Sequence, residues 1–115
     1  QGSYMVIFDK SQLLKGTLEG CILKTIAREP VYAYGAIEYL RKKGFTDLTE
    51  GTLYPLLLRL ERQKLISSEL RESAVGPKRK YYLITDAGKD YLKQFEREYC
   101  ALERIIKNIL EEDDE

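Results

Sequence analysis

Three consecutive cations, Lys78, Arg79 and Lys80, follow directly on Gly76 and Pro77. A Gly-Pro pair marks a turn, and positive side chains carried on a turn suit a nucleic-acid backbone, where each neutralised phosphate releases condensed counterions. Upstream, Thr49, Glu50, Gly51, Thr52 and Tyr54 stand at the start of a helical pattern. They are small or hydrogen-bonding, and from a helix start both side chains and free backbone amides reach base edges and phosphate oxygens. Thr52 and Tyr54 are the expected readers, whereas an acidic Glu50 is costly beside phosphate unless it accepts from a cytosine. Arg41, Lys42 and Lys43 make a second cationic cluster that could flank the same groove, although cations at a helix end also suit its dipole.

Other chemistry is poorly supplied. There is no histidine, which removes the commonest general base and metal ligand at neutral pH. Cys21 and Cys100 lie far apart without metal-ligand spacing and are expected to be free thiols. No Gly-rich phosphate loop or evident pair of carboxylates appears, so neither catalysis, a metal nor a cofactor is expected. The net charge of zero conceals an asymmetry: residues 111–115 are all acidic, and the remainder carries 19 basic against 14 acidic residues. A mildly basic body with a solvated acidic tail results.

The elements that must position these side chains follow from periodicity. The 115 residues, 43% hydrophobic and 33% charged, suit one soluble domain with a modest core. Leu14, Leu18, Cys21, Ile22, Thr25 and Ile26 recur at helical spacing, which predicts one helix over residues 11–29, capped by Ser11 and stopped by Pro30. A short β-tolerant stretch precedes a second helix over 33–43 with Gly44 as its stop. Thr49 caps a third helix reaching about Gln63, with Leu53, Leu56, Leu57 and Leu60 on one face. Pro55 sits inside it and predicts either a bend or a late start near Thr52. Runs 65–71 and 80–85 suit strands joined by the basic tip, and a long helix over 86–110 follows. In that helix Leu92, Phe95, Tyr99, Leu102, Ile106 and Ile109 step alternately by three and four, a seam that calls for a partner.

The expected fold is therefore mainly α with a small β-hairpin: a winged helix-turn-helix followed by a long C-terminal dimerisation helix. It divides into a flexible segment 1–10, a DNA-binding unit 11–85, the dimerisation helix 86–110 and the acidic tail 111–115. Residues 1–3 are expected to be a tag remnant, and the lack of a signal peptide or membrane span points to the cytoplasm. A rival reading keeps the fold but binds protein; it would place apolar residues at 52, 54 and the wing tip, where this chain has polar, cationic or hydrogen-bonding ones.

One set of residues carries a resemblance. Gly51-Thr-Leu-Tyr-Pro-Leu-Leu-Leu-Arg-Leu-Glu61, then Leu65-Ile66, then Gly76-Pro-Lys-Arg-Lys-Tyr-Tyr-Leu-Ile-Thr85 and Gly88 resemble the PadR-like transcriptional regulators over roughly residues 13–109. The family carries a proline at the place of Pro55. The resemblance implies a homodimer on a palindromic operator of double-stranded DNA, usually repressing transcription, and its compact subgroup dimerises through a single C-terminal helix. Similar compact regulators take planar aromatic effectors where the C-terminal helices meet the partner's N-terminal helix, which implies Phe8, Phe95, Tyr99 and Cys100 here. The drug-binding relatives use a tryptophan, and Tyr99 stands at the matching place.

Overall fold

A computed structural model of the protein describes residues 4–112, so residues 1–3, expected to be a tag remnant, and the last three acidic residues lie outside the described residues. Helix formation starts earlier and breaks sooner than the periodicity suggests. In α1 (Lys10–Leu14) the cap is Asp9 rather than Ser11, its carboxylate accepting from the Ser11 amide at 3.0 Å. At Gly16 the backbone turns to φ +89°, a conformation costly for any residue with a Cβ, and α2 (Thr17–Arg28) starts afresh. The expected single helix over 11–29 is thus two, because the apolar repeat carries across a break that only the glycine signals.

After Pro30 the chain forms β1 (Val31–Tyr32), then α3 (Ala33–Lys43). Gly44, at φ +133°, ends α3 with its amide donating to the Arg41 carbonyl, while the Phe45 amide donates back to Leu40. This paired closure is the usual glycine stop. Then α4 (Glu50–Arg62) runs from its Thr49 cap straight through Pro55, so the late start does not occur. Pro55 lies on the exposed side of the helix, where water can satisfy the Gly51 carbonyl that lost its donor.

The wing is β2 (Ile66–Arg71) and β3 (Arg79–Ile84), antiparallel from Ile66 opposite Ile84 to Arg71 opposite Arg79. It is not a free two-stranded hairpin. β1 pairs with the other edge of β3, Val31 opposite Tyr82 and Tyr32 opposite Tyr81, giving a three-stranded sheet in the order β1-β3-β2. Two residues are too few to show an alternating pattern in sequence, which is why β1 is read there only as β-tolerant.

Finally α5 (Asp86–Leu110) starts at Thr85, whose hydroxyl accepts from the Gly88 amide at 3.0 Å and donates to the Lys64 and Leu65 carbonyls. One core unites these elements: Ile22, Leu23 and Ile26 of α2, Ile37 and Leu40 of α3, Leu53, Leu57 and Leu60 of α4, with Ile66, Tyr82 and Leu92 closing it. The first turns of α5 belong to this core. A Cβ on Gly88 would lie 2.1 Å from the Leu65 carbonyl oxygen, and one on Gly20 would lie 2.3 Å from the Phe95 ring. Both glycines are therefore where helix and neighbour meet without room for a side chain.

Candidate nucleic-acid interface

α4 is held from three sides. Its apolar face is buried, Glu19 of α2 meets it through Arg59 at 3.4 Å, and Arg41 of α3 donates its Nε to the Leu48 carbonyl at 2.8 Å, pinning the turn that leads into it. Arg41, Lys42 and Lys43 are all exposed, but the Nε of Arg41 is engaged by the turn, which leaves Lys42 and Lys43 as the cations of that cluster least committed within the protein. Lys43 and Arg28 both lie over the Tyr39 ring, at 5.6 and 4.2 Å from its centre, which places an aromatic-backed pair of cations on the surface.

The outward start of α4 carries the expected readers. Thr49 Oγ1 accepts from the Thr52 amide at 3.3 Å and lies 3.3 Å from the Thr52 hydroxyl, so the two threonines brace one another. Glu50, Gly51, Thr52 and Tyr54 are all exposed, Tyr54 to 48%. A Cβ on Gly51 would meet nothing closer than Thr49 Oγ1 at 3.8 Å, so no neighbour within the protein requires glycine there. Leu58, half-exposed one turn further on, extends the same outward side.

The wing cations do not act as a block. Side chains alternate across a strand, and β3 obeys this: Tyr82 points into the core at 6% exposure, and Lys80, two residues away, shares its face. Lys80 Nζ lies 3.4 Å from Glu61 Oε1 at the end of α4. Arg79 points to the other face, its guanidinium 4.5 Å from the centre of the Tyr32 ring, which packs against Tyr81 at 5.5 Å. Lys78 makes an exposed pair with Glu72 at 3.6 Å, of the kind that contributes little. Sequence reading missed Tyr32 because its role depends on β1 joining the sheet.

The C-terminal seam is divided. Leu92 is buried in its own core, and Phe95 lies against Gly20 of α2, so the start of the stripe packs within the protomer. From Tyr99 onward it is uncovered: Tyr99, Leu102, Ile106 and Ile109 are 42 to 62% exposed, with Ile105 and Leu110 beside them. Tyr4, Met5, Val6, Ile7 and Phe8, within the segment expected to be flexible, form a second exposed apolar run.

Within a single chain, the residues expected to hold an aromatic effector do not line a common pocket. Phe95 and Tyr99 stack at 6.1 Å, but Cys100 lies in a shallow groove with Lys93, Arg97 and Arg104. The larger cleft, about 1000 Å³, lies elsewhere, between α1, the turn before α4 and α4 itself, and is lined by neither Phe8, Phe95 nor Tyr99. Among the described residues no cluster of potential metal ligands is found, and no helix is long and apolar enough to cross a membrane.

Comparison with known proteins agrees with this fold. The model of the transcriptional regulator PadR-like family matches residues 22–94. A solved PadR-like transcriptional regulator from Bacillus cereus is 47% identical, with a TM-score of 0.81 over 89% of this chain and 99% of that one. A PadR-like transcription factor from Bacteroides fragilis is 41% identical, with a TM-score of 0.72 over 87% and 96% of the two chains. An uncharacterised protein of Lysinibacillus sphaericus is 32% identical over 89% of this chain and 95% of its own length.

Proposed function

The chain belongs to the PadR-like family of transcriptional regulators, and from that premise we propose that it is a homodimeric repressor on a palindromic operator. In this reading the start of α4 enters the major groove, with Thr52 and Tyr54 toward bases and phosphates, while Lys78 and Arg79 of the wing and Lys42 and Lys43 of α3 neutralise the flanking backbone. The observation that carries it is the exposed, unpartnered start of α4: a capped helix end with small and hydroxyl-bearing side chains, held rigidly by a buried opposite face. The family is one of transcriptional regulators.

Dimerisation is supported by two apolar surfaces on one small protomer, the stripe from Tyr99 to Ile109 and the run from Tyr4 to Phe8. Exposed apolar surface on this scale marks an interface, and two-fold pairing of α5 would set the distance between two copies of α4. Release by a planar aromatic ligand is the regulatory part of the proposal. It rests on the Phe95 and Tyr99 pair, whose stack a ligand ring could extend because Tyr99 is 43% exposed. Such a ligand would change tyrosine fluorescence and lower DNA affinity together.

Selection from random duplex DNA tests the functional core. Enrichment of inverted repeats is expected, with half-sites about one helical turn apart. A pool that stays random after selection would favour the rival, a winged helix that binds protein.

A further inference from the structure

Glu61 occupies the last turn of α4, and both of its carboxylate oxygens reach the wing. Oε2 accepts from the Ser68 hydroxyl of β2 at 2.7 Å, and Oε1 lies 3.4 Å from Lys80 Nζ of β3. Ser68 stands opposite Tyr82 in the ladder and Lys80 two residues from Tyr82, so the two partners are diagonal neighbours on one face of the sheet. The ammonium also lies 5.3 Å from the centre of the Tyr82 ring, itself anchored in the core. One side chain of the recognition helix is thus tied to each strand of the wing.

We propose that Glu61 is a positioning residue for DNA binding: the Glu61, Ser68 and Lys80 bridge fixes the angle of the wing against α4, and Lys80 acts through that bridge rather than on a phosphate. The proposal deepens the reading given above and rests on it. Helix and wing must meet the groove and the backbone at the same time, and a contact set works only if its supports hold it to a fraction of an ångström. Between them the chain passes through only a short link, residues 63–65, in which Lys64 adopts φ +64°. A restraint beyond that link has a clear mechanical use.

Two features make this bridge more than an ordinary surface pair. The Glu61 side chain is 30% exposed, so its charge is partly shielded from water, and the Ser68 hydrogen bond gives the carboxylate a fixed orientation. That hydrogen bond, aided by the Lys80 charge and opposed by partial burial, holds the Glu61 carboxyl below the usual glutamate range. The alternation of β3 also turns Lys80 away from the face that carries Arg79.

The experiment is fluorescence anisotropy on a labelled duplex taken from the selection, across a range of salt, with the native chain, Glu61→Gln, Glu61→Ala, Lys80→Ala, the Glu61→Ala/Lys80→Ala double variant and the charge-swapped Glu61→Lys/Lys80→Glu pair. Each single variant is expected to bind about threefold to tenfold more weakly, the alanine double variant no more weakly than either alanine single, and the charge-swapped pair to recover most of the loss. The dependence of affinity on salt should stay the same throughout, since no phosphate contact is removed. Glu61→Gln retains the acceptor for Ser68 and guards against a loss that merely reflects misfolding. Tighter binding by Glu61→Gln or Glu61→Ala, unchanged binding by Glu61→Gln, or a salt slope reduced by about one in Lys80→Ala would overturn the bridge while leaving DNA binding intact. No saturable binding by the native chain would overturn the reading of function itself, and the role of the bridge with it.

Discussion

Replacing Ile106 by aspartate should separate the two protomers without unfolding either. Ile106 sits midway along the uncovered part of α5, 42% exposed in the protomer, with Leu102 and Ile109 a turn away on either side. Full burial of an isoleucine side chain is worth about 1.5 to 3 kcal/mol, so burying the 42% still exposed is worth about 0.6 to 1.3 kcal/mol, and two-fold symmetry makes each substitution count twice. The loss of apolar burial is then about 1.3 to 2.5 kcal/mol per dimer, or roughly one to two powers of ten in the dimer dissociation constant, and the cost of burying the aspartate charge adds to it. Sedimentation equilibrium from micromolar concentration downward reads this directly, and the native chain should also melt at a temperature that rises with concentration whereas the variant should not. The protomer core is remote from the change, because Leu92 and Phe95 supply the contacts of α5 with its own chain. A variant that keeps the native mass at the lowest concentration would refute the assignment of this stripe to the dimer.

Three further outcomes test the interface. Gly51→Ala should leave the fold as stable or raise its stability by up to about 1 kcal/mol, since alanine favours a helix and the new Cβ has space, yet it should weaken DNA binding if the backbone there approaches the duplex; urea unfolding and anisotropy on the same preparation check both halves. Arg79→Ala should weaken binding at every sequence and lower the salt slope by about one unit, and an unchanged slope would remove the wing from the backbone. The depressed Glu61 carboxyl makes a pH-dependent contribution to stability that is present above the unfolded glutamate value and lost as pH falls through the lower folded value; the stability gap between the native chain and Glu61→Gln, measured by urea unfolding, should therefore narrow on acidification below about pH 5.

Much of the fold could be read because its elements announce themselves by period and punctuation. Gly44 stops α3, Thr49 caps the helix that follows it, and the stripe of α5 repeats from Leu92 to Ile109. Features set by tertiary contact could not be read in this way. β1 is two residues long and exists because β3 offers an edge, the left-handed residue after α4 is Lys64 rather than a glycine, and the division of the α5 stripe depends on Phe95 finding Gly20. The same holds at the interface. Lysine and arginine in a row identify a cationic wing, but which of them is free depends on the pleat, which sends Lys80 to Glu61 and Arg79 to Tyr32. Arg41 illustrates the point from the other side, since a residue counted by charge serves as a hydrogen-bond donor to Leu48.

The most direct measurement of the central claim is methylation interference at guanine N7 on a selected duplex, because N7 lies in the major groove and its methylation blocks a recognition helix but not a backbone contact. Two interfering patches are expected, related by the dyad of the site and about one helical turn apart, and Tyr54→Phe or Gly51→Ala should alter affinity for that same duplex. Binding that tolerates methylation at every guanine of the site would place α4 outside the major groove and contradict the account.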